Sequence, residues 1–151
     1  NPANPNQYRF DGEWLDLEAL VDVEITSDEP AHPIEHALLP GQSSGWRAAN
    51  SGRQTIRLFF AQPQRLRRIL LHFAESGSER TQEYVLRWSP DGGKSFHEIV
   101  RQQWNFNPQG ATIEIEDHYV DLPAVKLLEL DINPDISGTT VAASLEEWRL
   151  A

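Results

Sequence analysis

The segment from Trp88 to Phe96 constrains the fold of this chain more than any other feature. It contains the turn dipeptide Asp91-Gly92, in which glycine adopts a positive φ without steric cost. Strand-like sequences lie on both sides of it, at residues 83–88 and 96–101. The segment therefore predicts a β-hairpin and, with it, an antiparallel sheet.

Short strand-like segments recur along the rest of the chain. Between residues 15 and 25, apolar residues alternate with acidic ones, and this period of two predicts a strand with one buried face. Residues 17–21 also fit a short helical turn. Further strands are predicted at residues 55–60, 68–73, 111–115, 125–132 and 144–150, with turn residues between them. Many short strands separated by turns are typical of a β-sandwich or barrel.

The length of 151 residues favours one domain with a core that needs no disulfide or metal. We expect residues 1–13, rich in Asn, Pro and Gln, to form a loose arm, and residues 14–151 to form a single β-sandwich binding domain. The absence of cysteine excludes disulfides, thiolate metal sites and cysteine nucleophiles.

The net charge of −10 argues against a nucleic-acid partner, because so acidic a surface repels phosphate backbones. It also disfavours anionic membrane surfaces, and no apolar run is long enough for a membrane span. A neutral or cationic ligand is easier to accommodate. The same acids also keep a protein soluble, which is their commonest use.

Periodicity disappears between residues 27 and 50, where several prolines and glycines interrupt the pattern. We expect a long loop closed by a buried Trp46, and a loop of this length in a compact domain is usually functional or wraps a surface. His32 and His36 lie four residues apart in it, but Pro33 disfavours the helix that would make them a zinc pair.

These features resemble the discoidin, or coagulation factor 5/8 type C, family with its galactose-binding-like fold. Members often carry a segment close to Asn-Ala-Leu-Asp-Gly-Asp-x-x-Thr-x-Trp, and residues 36–46 match it in length with Ala37, Leu38, Ser44 and Trp46 in register. Residues 86–99 are similar to the family's Ser-x-Asp-Gly-x-x-Trp-x-x-Val hairpin, with Phe96 in the place of the Trp. The resemblance covers about residues 20 to 150 and implies an all-β jelly-roll β-sandwich of two antiparallel sheets.

The resemblance also implies where calcium would bind, namely the first loop, through an Asp side chain and carbonyl oxygens. The matching position here is Leu39, whose side chain offers no oxygen. Weak candidates for oxygen ligands remain, and they are Leu38, Gly41, Ser44 and Glu147, with Glu146 as an alternative to Glu147. We therefore expect no cofactor. Calcium is the one cofactor for which the resemblance leaves room.

The strongest ligand candidate is the segment Gln103-Trp104-Asn105-Phe106-Asn107, which we expect to be a loop. Sugar recognition combines an aromatic ring, which stacks on the apolar face of a pyranose, with amides that bond the hydroxyls. Trp104 or Phe106 would stack, and Asn105 and Asn107 would hydrogen-bond. Equally, one of the two rings would plug the end of the sandwich.

Charged side chains from other loops would complete such a site. Glu79 and Arg80, in the loop of residues 75–81, can accept and donate hydrogen bonds to hydroxyl groups, and His32 is a further candidate. The alternative for residues 75–81 is a solvated turn.

The resemblance thus implies a non-catalytic module that binds carbohydrate through its end loops. Because one fold hosts many functions, a protein-binding adaptor and an accessory domain of a glycoside-processing enzyme stay open. We expect no catalytic activity, since the chain has no Gly-x-Ser-x-Gly elbow and no pattern that brings two carboxylates together.

Overall fold

A computed structural model of the chain describes residues 14–41 and 44–151, so the predicted arm of residues 1–13 lies outside the described residues. Strands dominate the described part, and the two helices in it are single turns. In chain order the elements are α1 (Leu17–Leu20), β1 (Val21–Ile25), α2 (Glu35–Leu38), β2 (Trp46–Ser51), β3 (Gln54–Ala74), β4 (Arg80–Ser89), β5 (His97–Phe106), β6 (Ile113–Asn133), β7 (Ala142–Leu145) and β8 (Glu147–Leu150).

Two long strands, β3 and β6, hold the sandwich together, because each runs through both of its layers. In one layer the strand order is β1-β3-β6-β4-β5, with Leu58 of β3 opposite Leu128 of β6. In the other layer the second half of β3 lies between β8 and the first half of β6, with Leu71 opposite both Trp148 and Glu116. A short β2-β7 ladder closes one side. The predicted all-β jelly-roll sandwich of antiparallel strands is confirmed.

The predicted strands at residues 55–60 and 68–73 are the two halves of the single strand β3. The predicted turn at Gln62-Pro63 lies within it, where the β3-β6 register shifts between Phe59 and Gln64. Proline has no N–H to give to a ladder, so it fits best where the pairing is interrupted. The predicted strands at residues 111–115 and 125–132 likewise fall on the one strand β6, which begins at Ile113.

The predicted hairpin is formed by β4 and β5. Gly92 and Gly93 have φ values of 76° and 109°, as the Asp-Gly turn requires. The Asp91 carboxylate accepts hydrogen bonds from the Ser89 hydroxyl at 2.6 Å and from the Ser95 N–H at 2.9 Å. These bonds favour the charged form and hold the pKa of Asp91 below its usual range.

One apolar core lies between the layers, built from side chains that alternate along β3, β4 and β6. Trp46 and Trp148 are its largest members, and both are fully buried. At the N-terminal side, the strand predicted within residues 15–25 begins only at Val21, and Leu17–Leu20 form the short helical turn that was the alternative for residues 17–21. Within the described residues, no helix is long and apolar enough to cross a membrane.

Candidate functional site

The loops at one end of the sandwich enclose an open cavity of about 550 Å³. It lies where β3 ends and β6 begins, next to the link between β7 and β8. Four chain segments therefore contribute to it. The lining residues are Arg47, Ala74, Glu75, Ser76, Gly77, Thr112, Ile113 and Glu146. We call this the loop-end cavity.

A buried ion pair forms the wall of the cavity next to β4. Arg80 Nη2 donates to Glu75 Oε1 at 3.1 Å, and both side chains are at least nine-tenths buried. Burial lowers the pKa of Arg80, and Glu75 opposes this effect. Glu75 Oε2 also accepts the Gly77 N–H at 3.0 Å, so the ion pair fixes the loop that follows β3.

Arg47, the second residue of β2, also lines the cavity and is bonded to the first loop. The Arg47 N–H donates to the His32 carbonyl at 3.1 Å, and its carbonyl accepts from the Glu29 N–H at 2.9 Å. The Arg47 guanidinium lies 3.9 Å from the Glu29 carboxylate and is 41% exposed, so its remaining donors face solvent and the cavity. Nothing in the sequence singles out Arg47, which simply follows a buried tryptophan.

Two features anchor this loop to the rest of the domain. Trp46 is buried as predicted, and its Nε1–H donates to the Ser27 carbonyl at 3.1 Å. Gly45 has a φ of 58° and lies so close to the β7-β8 link that an added Cβ would be 2.6 Å from the Leu145 carbonyl oxygen. Glycine at position 45 therefore sets how closely the loop approaches Glu146 in the cavity wall.

The two histidines of the first loop both face Ser44. His32 Nδ1 lies 3.2 Å from the Ser44 carbonyl oxygen, and His36 Nδ1 lies 3.4 Å from the Ser44 hydroxyl oxygen. Among residues 14–41 and 44–151, no group of three potential ligands from His, Asp and Glu is placed to hold a metal ion. The His32 carbonyl accepts a hydrogen bond from the N–H of Arg47, which lines the loop-end cavity. A contact between the His32 side chain and a ligand stays a prediction.

The guanidinium group of Arg149 lies next to one of the calcium candidates, Glu147. Arg149 Nη1 donates to the Ala37 carbonyl at 2.9 Å and Nη2 to the Leu39 carbonyl at 3.4 Å. The Glu147 carboxylate lies 3.1 Å from Arg149 Nη2, so it is already paired. A fixed positive charge repels a second cation, so the pairing with Arg149 disfavours Glu147 as a calcium ligand. Leu38 is buried in the core, and Gly41 and Ser44 are exposed.

The predicted ligand loop of residues 103–107 is wrong as a loop, because β5 continues to Phe106. Trp104 is opposite Gln82, and Asn105 is opposite Thr81. Successive residues of a strand face opposite sides, so Trp104 and Asn105 cannot contact the same side of one ligand. Phe106 is 1% exposed and belongs to the core, as the alternative of a ring that plugs the end of the sandwich predicted. It therefore offers no stacking surface. Trp104 is 37% exposed.

The predicted polar contacts are only partly brought together. Asn105 Nδ2 donates to Glu79 Oε2 at 3.4 Å, and both residues are exposed on the outer face. The Asn107 side chain accepts the Gln109 N–H at 2.9 Å and closes a turn. The Arg80 side chain, which was expected to bond a sugar hydroxyl, is buried against Glu75. Within the predicted 75–81 loop, the residues that border the cavity are Glu75, Ser76 and Gly77.

The fold of this chain also occurs in solved carbohydrate-binding modules. No protein-family model matches the chain, and no curated protein matches it. A family 32 module from Clostridium perfringens, solved with GalNAc-β-1,3-galactose, superposes with a TM-score of 0.65 at 17% identity over 91% of this chain and 98% of that one. A chitosan-binding module from Paenibacillus sp. IK-5 gives a TM-score of 0.64 at 18% identity, over 91% and 98% of the two chains.

An enzyme contains the same fold as one part of its chain. A fucosidase from Ruminococcus gnavus superposes with a TM-score of 0.70 at 6% identity, over 96% of this chain but only 28% of that one. At such identities the likeness shows the fold alone. The fold that the sequence resemblance implied is thus the fold observed.

Proposed function

We propose that the protein is a non-catalytic carbohydrate-binding module and that its ligand occupies the loop-end cavity. The observation that carries this proposal is the cavity itself, which lies between chain segments at one end of the sandwich and has the charged residues Arg47, Glu75 and Glu146 in its lining. The modules that share the fold include ones solved with sugars, such as the Clostridium perfringens module with GalNAc-β-1,3-galactose. Their ligands support the class of ligand and do not identify the sugar.

The lining of the cavity has the donors and acceptors that a sugar needs. Arg47 presents a fork of N–H donors, while Glu75 and Glu146 present carboxylate acceptors. Ile113 is 53% exposed and offers an apolar surface to the C–H face of a pyranose. Because Glu75 is held by Arg80 and Gly77, its acceptor is fixed before the ligand arrives, which limits the entropy lost on binding. Two carboxylates beside one guanidinium suit a neutral ligand better than an anionic one.

A glycan array followed by titration calorimetry tests the proposal. We expect Arg47→Ala to weaken the binding of a glycan found on the array by about tenfold or more, because a hydrogen bond to a charged group contributes about 1.5–3 kcal/mol. Arg65→Ala is a matched control, since Arg65 is an exposed arginine paired with Asp121 in the stretch that joins the two halves of β3. Loss of binding in both variants, or in neither, would contradict the assignment of the cavity.

A second function is favoured by one observation. The fucosidase match shows that a whole domain of this fold occurs within a longer glycosidase chain. An accessory domain of a glycoside-processing enzyme would bind its sugar in the same cavity, and the neighbouring sequence of the gene distinguishes it from a free-standing module. A protein-binding adaptor is the remaining candidate. It predicts an array without binding and a partner captured by the wild type but not by Arg47→Ala.

A further inference from the structure

A second open cavity, of about 350 Å³, lies beside β1, between this strand and the two helical turns. Most of its lining is apolar and comes from α1, β1 and the end of α2, namely Leu17, Val21, Val23, Leu38 and Leu39. Its volume falls within the range of about 300–1,000 Å³ that is typical of ligand pockets. None of its lining residues belongs to the loop-end cavity, so the two are separate. We call it the β1 groove.

The strand β1 is an edge of its sheet, because β3 is its only partner strand in the part of the chain that the structure describes. Just after β1, the Thr26 N–H donates to the Thr55 carbonyl of β3 at 3.1 Å. Bonded and free positions alternate along an edge strand of an antiparallel sheet, so the N–H and C=O groups of Val23 and Ile25 point away from β3. A further strand can add to such groups.

Open space borders β1 along its whole length. Residues 21–23 line the β1 groove, and residues 24–26 line a further open pocket of about 260 Å³. The three aliphatic side chains of β1 are half-buried on one face of the strand, whereas Asp22 and Glu24 are exposed on the other. A chain segment that lies along this edge therefore meets an apolar face and an acidic face.

The acidic side chains at this edge have no partner of opposite charge. Glu18 of α1 and Glu35 of α2 line the groove together with Asp22, and Glu24 follows along β1. No arginine or lysine within residues 14–41 and 44–151 lies within ion-pair distance of any of these four carboxylates. An occupant with positive charge is therefore favoured.

Two arginines near this edge are engaged with other groups. Arg57 is opposite Glu24 in the β1-β3 ladder, but its guanidinium group bonds the Glu129 carboxylate at 2.9 Å. Arg149, which reaches the carbonyl groups of α2, is paired with Glu147 at 3.1 Å. The groove carboxylates are thus left to a cation from outside the domain.

A second copy of this chain does not fit the same edge. If two β1 strands paired antiparallel about Val23, Asp22 of each copy would be opposite Glu24 of the other. Like charges in directly opposite positions are destabilising, and each copy also carries a net charge of −10.

We propose that the β1 groove docks an extended, basic segment of a partner protein, which adds to β1 as a further strand of the sheet. The backbone of the segment bonds the free groups of Val23 and Ile25. Its apolar side chains enter the groove on the face of Val23, and its lysine or arginine side chains lie beside Asp22 and Glu24 on the other face. This site leaves the loop-end cavity free for a glycan.

Fluorescence anisotropy with labelled synthetic peptides tests this site. The probe is the heptapeptide Lys-Val-Lys-Val-Lys-Val-Lys, and its matched control is Lys-Lys-Lys-Lys-Val-Val-Val, which has the same charge without the alternation. We expect the alternating peptide to bind at least about tenfold more tightly than the block peptide, and less tightly as salt is added.

Two N-methylated forms of the alternating peptide test the backbone pairing. One carries the methyl groups on its valines and the other on its lysines, so each lacks the N–H donors of one edge. A docked strand bonds β1 along one edge only. One form should therefore lose binding, and the other should keep it.

Variants of the protein test the charge. Asp22→Lys combined with Glu24→Lys should weaken binding of the alternating peptide by about tenfold or more, because attraction becomes repulsion. Glu98→Lys is the matched control and should leave binding unchanged, since Glu98 lies on β5 at the other edge of the sheet and is paired with Arg101. In the wild type, the largest changes in amide chemical shift should fall on residues 21–25.

Equal affinity for the alternating and block peptides, or binding kept by both N-methylated forms, would overturn the proposal. A wild-type dimer that the double variant abolishes would assign the edge to a second copy instead. Tighter peptide binding after removal of residues 1–13 would assign it to the chain's own N-terminal segment. Glycan binding in the loop-end cavity is measured separately with the Arg47 variant, so failure of one site does not imply failure of the other.

Discussion

Replacing Gly45 by alanine should destabilise the fold far more than the same change at another glycine with positive φ. At φ 58° an L-residue is strained by about 1–2 kcal/mol. The new methyl group would also lie 2.6 Å from the Leu145 carbonyl oxygen and 2.7 Å from the Glu146 Cα, both of them backbone atoms. Carbon atoms normally approach to about 3.5 Å, so one of the two strands must move, which costs about 1–3 kcal/mol.

The total expected loss in free energy of unfolding is therefore about 2–5 kcal/mol for Gly45→Ala. Gly52→Ala is the control, because Gly52 has a φ of 85° and nothing within 4 Å of an added Cβ, so that only the strain of about 1–2 kcal/mol remains. Urea unfolding followed by tryptophan fluorescence measures both, with the buried Trp46 next to the substitution as a reporter. Equal losses for the two variants would refute the argument that the loop packs against the β7-β8 link.

Three further predictions concern single side chains. Arg149→Ala should lower the free energy of unfolding by about 1.5–3 kcal/mol, because it removes charged hydrogen bonds to two loop carbonyls. Adding calcium or a chelator should leave the melting temperature of the wild type unchanged. Burial raises the pKa of Glu114 to about 9, so this group binds its proton more tightly in the folded state. The stability due to this group is therefore complete below pH 4.5 and falls as pH rises toward about 9, at up to about 1.4 kcal/mol per pH unit. Glu114→Gln should flatten that slope in urea titrations at several pH values, and a slope of the opposite sign would contradict the burial argument. Phe106→Ala should cost about 3–5 kcal/mol by emptying a core position, whereas Trp104→Ala, at a partly exposed ring, should cost clearly less in the same assay.

The sequence predicted correctly those features of the fold that depend on local chemistry. Asp91-Gly92 predicted the hairpin, and the position of Trp46 predicted a closed loop, because turn geometry and tryptophan burial are both local signals. The bends of β3 and β6 could not be predicted, since Pro63 and Pro123 interrupt the alternation inside strands that continue on the next layer. Whether such a break becomes a turn or a bend depends on which strands of the next layer pair with the chain after it. That pairing cannot be read from the sequence.

The candidate site was harder to predict for the same reason. The run from Gln102 to Asn105 has the composition of a loop, yet it forms an edge strand because β4 supplies a partner along its whole length. Arg47 gives no signal in the sequence, since its importance comes from four distant segments that meet around one cavity. The burial of Arg80 could not be predicted, because the charge that balances it, Glu75, becomes its partner only when the loop folds.

The most direct test of the central claim is a titration of the isotope-labelled protein with a neutral glycan selected on the array, followed by amide chemical shifts. The account predicts that the largest changes fall on residues 47, 75–77, 112–113 and 146, which line the loop-end cavity. Changes concentrated on the outer sheet face around residues 83–87, or no saturable change at all, would contradict it.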